Sequence, residues 1–137
     1  MKLVINTRFG GFGLSEKAMR RYFELKGWPL YVEKHGSLHS TYWKVPPEDQ
    51  PIQPEPWETA PLEDRHRYNF EHKQKSVYEG DIQRDDQELV RVVEELGSAA
   101  NGPFAELTVV EIPDGVEWKI EEYDGNEHVA EKHRTWE

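Results

Sequence analysis

Asp85-Asp86-Gln87-Glu88-Leu89-Val90-Arg91-Val92-Val93-Glu94-Glu95-Leu96-Gly97 is the stretch that decides the fold class. Leu89, Val90, Val92, Val93 and Leu96 recur at the spacing of one helix face, and Ala99 and Ala100 extend it. Asp85 with Glu88 fits the D-x-x-E form of a capping box, which makes Asp85 the expected cap. Asn101-Gly102-Pro103 supplies the stop, because glycine tolerates a left-handed conformation and proline cannot continue a helix.

Downstream, two turn signals separate three strand-like runs. Leu107 to Ile112 is followed by Pro113-Asp114-Gly115, where proline fixes one φ and glycine supplies a positive one. Trp118 to Tyr123 is followed by Asp124-Gly125, which suits a two-residue type I′ turn, and Glu127 to His133 returns. The expectation is a C-terminal three-strand antiparallel meander, with Trp118 and Ile120 facing the core and Trp136 either packing the tail or frayed.

Upstream, Lys2 to Phe9 reads as a strand and Gly10-Gly11-Phe12-Gly13 breaks it. Ser15 is the expected N-cap of a helix to Lys26, with Leu14, Ala18, Met19, Tyr22, Phe23 and Leu25 as its apolar stripe and Gly27 as its stop. Leu30 to Val32 and Ser40 to Val45 read as strands. Six of the nine prolines lie within residues 46–61, an extended or irregular loop or insertion anchored by Trp57. Residues 62–75 suit a short helix, and Ser76 to Ile82 a strand. Together these elements predict one domain over 1–137, of α/β or α+β class. It would hold one mixed β-sheet, two principal helices and the meander.

The 137 residues carry a net charge of -10, spread unevenly. Residues 1–45 hold eight Lys/Arg and three Asp/Glu, and residues 46–137 hold nine and twenty-four, so +5 and -15 make up the total. Such a chain is a poor nonspecific binder of nucleic acid, since phosphate contacts need cations. Its acidic surface suits solvation or docking on a basic partner, even as a mimic of nucleic acid. No apolar run reaches the length of a membrane span, and the start lacks a signal-peptide pattern. The absence of cysteine excludes disulfides, thiolate metal sites and a Cys nucleophile, and a cytoplasmic location is expected.

Phe9-Gly10-Gly11-Phe12-Gly13-Leu14-Ser15-Glu16-Lys17-Ala18 and the C-terminal segment through Glu122-Tyr123-Asp124-Gly125-Asn126-Glu127-His128-Val129-Ala130-Glu131-Lys132-His133-Arg134-Thr135-Trp136 carry a resemblance. Over roughly the first 26 and last 54 residues the chain resembles a group of small, functionally uncharacterised bacteriophage and prophage proteins. The resemblance implies a phage setting and the host cytoplasm. It brings no activity and no catalytic residue.

Five sets of residues bear on chemistry or binding. Arg8, Gly10, Gly11, Gly13 and Ser15 lie in a strand-to-helix loop whose N–H groups could cradle an anion. The loop lacks the Gly-Lys-Ser/Thr of a P-loop, and Glu16 stands where a dinucleotide fingerprint has its third glycine. His128-x-x-Glu131-x-His133 has metal-ligand residue types, but strand periodicity puts only Glu131 and His133 on one face, and no metal is expected. His35 and His39, like His66 and His72, read as accidental spacings. The pairs Asp85-Asp86, Glu94-Glu95 and Glu121-Glu122 diverge on a helix or strand, so no shared-proton dyad and no catalytic residue is expected. Tyr42, Trp43 and Trp57 flank the proline segment, Tyr68 and Phe70 follow it, and together they have the composition of a hot spot, with Tyr42, Trp43, Trp57 and Tyr68 as the expected partner-binding residues. The reading is therefore a small accessory protein that binds a host protein without a cofactor. The alternatives are a nucleotide- or phosphate-binding protein or enzyme using the glycine loop, and a structural virion component.

Overall fold

The computed structural model describes residues 1–37 and 39–132. The class is α+β. Among the described residues there are three α-helices: α1 (Glu16–Lys26), α2 (Leu62–Lys75) and α3 (Gln87–Leu96). The strands are β1 (Lys2–Asn6), β2 (Tyr31–His35), β3 (His39–Trp43), β4 (Ser76–Val77), β5 (Leu107–Glu111), β6 (Trp118–Tyr123) and β7 (Asn126–Glu131). The chain divides into two compact units. The first comprises Met1–Lys26 and the chain from Ile82 onward; the second is Gly27–Asp81.

In the first unit, β1 and β5 form a two-stranded antiparallel sheet in which Lys2 faces Glu111 and Asn6 faces Leu107. Leu3, Val4, Ile5 and Asn6 are all buried, so β1 is covered on both faces and reads as a continuous apolar run. Helices α1 and α3 pack on each other, and α3 also meets β1 and β5. Ala18, Met19, Tyr22 and Phe23 from α1 interlock with Leu89, Val90, Val92 and Val93 from α3 as the core. Phe23 and Leu89 are completely enclosed, each worth roughly 1.5–3 kcal/mol of apolar transfer.

Ser15 caps α1 as expected, accepting the Ala18 N–H at 3.1 Å, and Gly27 ends it with φ +76°. At α3 the cap is Asp86, not Asp85. Asp86 Oδ1 accepts the N–H groups of Glu88 (2.9 Å) and Leu89 (3.1 Å), while Asp85 is exposed. Its other oxygen decides this, because Oδ2 takes the Tyr22 hydroxyl at 2.8 Å and Lys26 Nζ at 3.1 Å from α1. Burial opposes ionisation of Asp86, but these donors and the Leu89 N–H outweigh it and hold the carboxyl below its usual range.

The expected meander does not form. β5 pairs with β1, and β6–β7 is a separate two-stranded hairpin in which Trp118 faces Glu131 and Tyr123 faces Asn126. A six-residue connection, 112–117, leaves β5 free of β6. The apolar β1, buried on both faces, has a ladder that only an interior partner can complete. The hairpin turn itself is as expected, with Asp124 at φ +49° and Gly125 at φ +88°. Trp118 and Ile120 are half-buried, and Trp136 lies outside the described residues.

The second unit is a three-stranded antiparallel sheet, β2-β3-β4, with α2 and two short 3₁₀ turns in the proline segment. β4 is two residues long, facing Trp43 and Tyr42, and a 3₁₀ turn at Glu79–Asp81 replaces the rest of the expected strand. All pairings among the described residues are antiparallel, in three sheets where one mixed sheet was expected. The reason is that the strand after α1 belongs to the second unit, so α1 is not a crossover between neighbouring strands.

Candidate functional site

The glycine loop is held by main-chain contacts. Gly10 and Gly11 adopt φ of +119° and +102°, and a side chain on Gly125 would run into the Gly11 backbone. Gly10 N–H donates to Asp124 O at 3.2 Å, and Gly102 N–H to Gly13 O at 3.0 Å. Ser15 N–H donates to Ala100 O at 2.9 Å, and its hydroxyl donates to Ala99 O at 2.6 Å. Of the expected anion-binding set, the Gly10 and Ser15 donors therefore already have protein partners. The Arg8 residue is exposed on the loop's flank.

Behind this loop lies a buried polar cluster that the sequence reading missed. Asn6 is fully buried and Glu127 is 5% exposed. The Glu127 carboxylate accepts two guanidinium bonds from Arg84, at 2.6 and 2.9 Å, and the Asn6 N–H at 2.8 Å. The Phe12 ring stacks on the Arg84 guanidinium at 3.7 Å. Both Glu127 oxygens accept hydrogen bonds, so the cluster joins β1, β7 and the Arg84 segment rather than presenting a reactive group. Its one sequence signal is Glu127 sharing a strand face with Val129.

Around the loop stand three exposed rings, also missed: Phe9 and Phe104, each 56% exposed, and Tyr123 at 78%. Each sits beside a glycine turn (Phe9-Gly10, Gly102-Pro103-Phe104, Tyr123-Asp124-Gly125), and that adjacency was the signal available.

In the second unit, Tyr42 and Trp43 are 8% and 3% exposed. They are its core, not its display surface, because β3 is the central strand and α2 supplies rings to cover it. Trp43 lies 4.7 Å from the His72 ring, His72 5.7 Å from Tyr68, and Tyr68 5.7 Å from Trp57, in an unbroken string. Burial, and then the Glu33 charge, push the Tyr68 hydroxyl pKa up. Of the four expected partner-binding residues, Trp57 and Tyr68 remain half-exposed.

Comparison with protein-family models, curated proteins and solved structures found no match. Function must be read from these surfaces alone.

A cleft of about 350 Å³ in the second unit is lined by Tyr68, His72, Ser76, Tyr78 and Asp81 among others, and it contains a Ser–His contact. Ser76 Oγ lies 3.1 Å from His72 Nδ1 but donates its proton to His72 O at 2.6 Å. The hydroxyl proton is thus committed to the main chain and not to the imidazole. This is a helix C-cap, with none of the geometry of an activated nucleophile.

The histidine motifs separate in space. His35 and His39 face each other across the β2–β3 hairpin, with His35 Nε2 2.9 Å from Thr41 Oγ1. His128 faces Glu121 at 3.0 Å, and His133 lies outside the described residues. Among the described residues no group of three or more His, Asp or Glu is placed to hold a metal ion. No helix among them is long and apolar enough to cross a membrane.

The remaining surface is the outer face of α2. At about 100° per residue, Arg65, Tyr68 and His72 share one side of the helix, and Leu62, His66 and Phe70 form an i, i+4, i+8 stripe that runs from its flank to the far side. The first side lies against Trp57 and Trp43, with the Arg65 guanidinium 6.0 Å from the Trp57 ring. The second leaves Leu62 59% and Phe70 63% exposed, two turns apart. Ile52 of the proline segment, 91% exposed, lines a groove with Asp64, Arg67 and Glu71 on the helix flank.

Proposed function

We propose that the chain is a small phage-type accessory protein that acts in the host cytoplasm by binding a host protein, with the second unit as its recognition element. The observation that carries this reading is the α2 outer face. A helix whose inner side is already seated on aromatic rings has no folding reason to keep a leucine and a phenylalanine on its solvent side. Ile52, between Pro51 and Pro54, adds a further exposed apolar side chain on the neighbouring flank of the helix, held at low ordering cost. On this reading the contacts are made by Leu62, Phe70 and Ile52, while Tyr42 and Trp43 are buried as the unit's core. The glycine-loop reading as a nucleotide site has less support, since two of its donors are already engaged.

The test is capture from bacterial host lysate on the immobilised full chain. Wild type should retain one protein at near-stoichiometric amounts, and a Leu62→Ser/Phe70→Ser double variant should lose it by at least ten-fold. Both positions are exposed, so the variant should keep its folding stability within about 0.5 kcal/mol. Equal capture by a folded double variant would overturn the assignment of this face.

A further inference from the structure

Of the three exposed rings of the first unit, Phe9 lies about a hundred residues from Phe104 and Tyr123 in the chain, yet one side chain ties their loops together. Asn6 Nδ2 donates to Arg8 O and to Gly125 O, both at 2.7 Å. Asn6 Oδ1 accepts the N–H of Glu106 at 2.9 Å and of Arg8 at 3.3 Å. Both donors and both lone pairs of a fully buried amide are thereby used on the segments that carry Phe9, Tyr123 and Phe104. The rings follow from this clamp. Phe9 and Tyr123 meet edge to face at 6.3 Å, and Phe104 Cβ lies 3.0 Å from where a side chain on Gly10 would begin. Because the loops close through glycine main chain, the rings are not needed as packing between them, and all three remain more than half exposed.

The surroundings are acidic. Residues 117–131 hold six Asp/Glu and one Lys. Glu106, Glu122 and Asp124 stand on the three-ring loops as exposed residues, against Arg8. Glu122 is oriented by the Gly125 N–H at 3.3 Å.

We propose that Phe9, Phe104 and Tyr123 form a preorganised docking site for a basic protein segment, whose arginine or lysine side chains lie on the rings and are paired by Glu122, Asp124 and Glu106. Ring faces attract cations through their quadrupole, and nearby carboxylates add a second attraction that phosphate groups would feel as repulsion. The same acidity opposes nucleic acid and anionic lipid, so a cationic polypeptide is the fitting occupant. The site is separate from the outer face of α2 and does not depend on it.

The experiment titrates the ¹⁵N-labelled full chain with a capped nonapeptide of alternating glycine and arginine, its lysine counterpart and its glutamate counterpart. The arginine peptide should shift amides at 8–12, 104–106 and 122–126, and raised salt should weaken it. Tyr123→Ser and Phe9→Ser should each lower affinity about five-fold, the size of one cation–π contact. Asp124→Asn, which keeps the turn conformation, should lower it two- to three-fold. Leu62→Ser/Phe70→Ser should leave it unchanged, which keeps this result separate from the lysate capture. The proposal is overturned by no shifts at millimolar peptide, or by shifts spread over all acidic segments and indifferent to Tyr123→Ser. Equal binding of the glutamate peptide, or tighter binding of a short DNA duplex, would overturn it as well.

Discussion

The two units solve the problem of burial differently. Of the buried hydrophobic residues among those described, fifteen belong to the first unit and only two, Tyr42 and Trp43, to the second, although the second spans 55 residues. The first is an aliphatic core of helix on helix and strand, with one closed polar cluster. The second is a thin sheet under a string of rings, and it leaves Tyr31, Ile52, Leu62, Phe70 and Tyr78 exposed. This unit therefore buries little and exposes much apolar surface, the property on which the proposed binding role rests. The first unit, by contrast, can hold loops rigidly, which is what the Asn6 clamp requires.

The largest expected effect tests whether the first unit depends on its polar cluster. Glu127→Ala leaves the Arg84 guanidinium, whose side chain is 16% exposed, without its carboxylate. Removing one partner of a buried pair costs about 3–5 kcal/mol. Urea denaturation followed by hydrogen exchange should show α3 and β1 amides losing protection by that amount. The β2–β3 amides should keep theirs. If both sets fall together, the contrast between the units is broken, and they are one cooperative structure.

The next effect falls on the other side of the contrast. Trp43→Ala removes the larger of the two buried rings in the second unit, together with its 2.9 Å bond to Glu33. A loss of roughly 3–5 kcal/mol is expected, enough to unfold a unit with so small a core. The β2–β3 amides should exchange freely while α3 stays protected, the reverse of the Glu127 result. Retained protection at β3 would mean that the second unit draws its stability from something other than these rings.

The parts of this contrast legible in the sequence are the local ones. The apolar spacing of Leu89 to Leu96 and the Asp124-Gly125 turn are set within a few residues, and α3 and the β6–β7 hairpin appear where expected. Even there the cap shifted by one residue, because Tyr22 and Lys26, far away in sequence, select Asp86. The pairing of β5 with β1 spans about a hundred residues, and turn chemistry carries no record of it. Glu127 looked like one more surface carboxylate, since nothing local announces that Arg84 will meet it. The exposed apolar faces were hidden for a related reason. An exposed Phe70 and a buried Trp43 are both aromatics in a charged region until α2 is placed, and only then do its two faces part.

The smallest effect concerns acid, and it too separates the units. The carboxylates Glu95, Asp86 and Glu121, each held below its usual range, all belong to the first unit. Glu95 is the clearest. The hydrogen bond from Arg21, then that from Arg91, lowers it from 4.5 to about 2. Arg21 Nε lies 2.8 Å and Arg91 Nε 2.9 Å from its oxygens, so one carboxylate links α1 to α3. A group whose folded pKa is depressed contributes stability above its unfolded value and loses it as pH falls through the folded one. The window here runs from about pH 4.5 down to about pH 2. The site is open to solvent, so salt should shrink the effect. Glu95→Gln should lower the urea midpoint of the first unit at pH 7 and converge on wild type near pH 2, with the second unit's exchange unchanged throughout. A gap between variant and wild type that is the same at both pH values would mean that the Glu95 charge does not join the two helices, and the rigidity assigned to this unit would have to come from its apolar core alone.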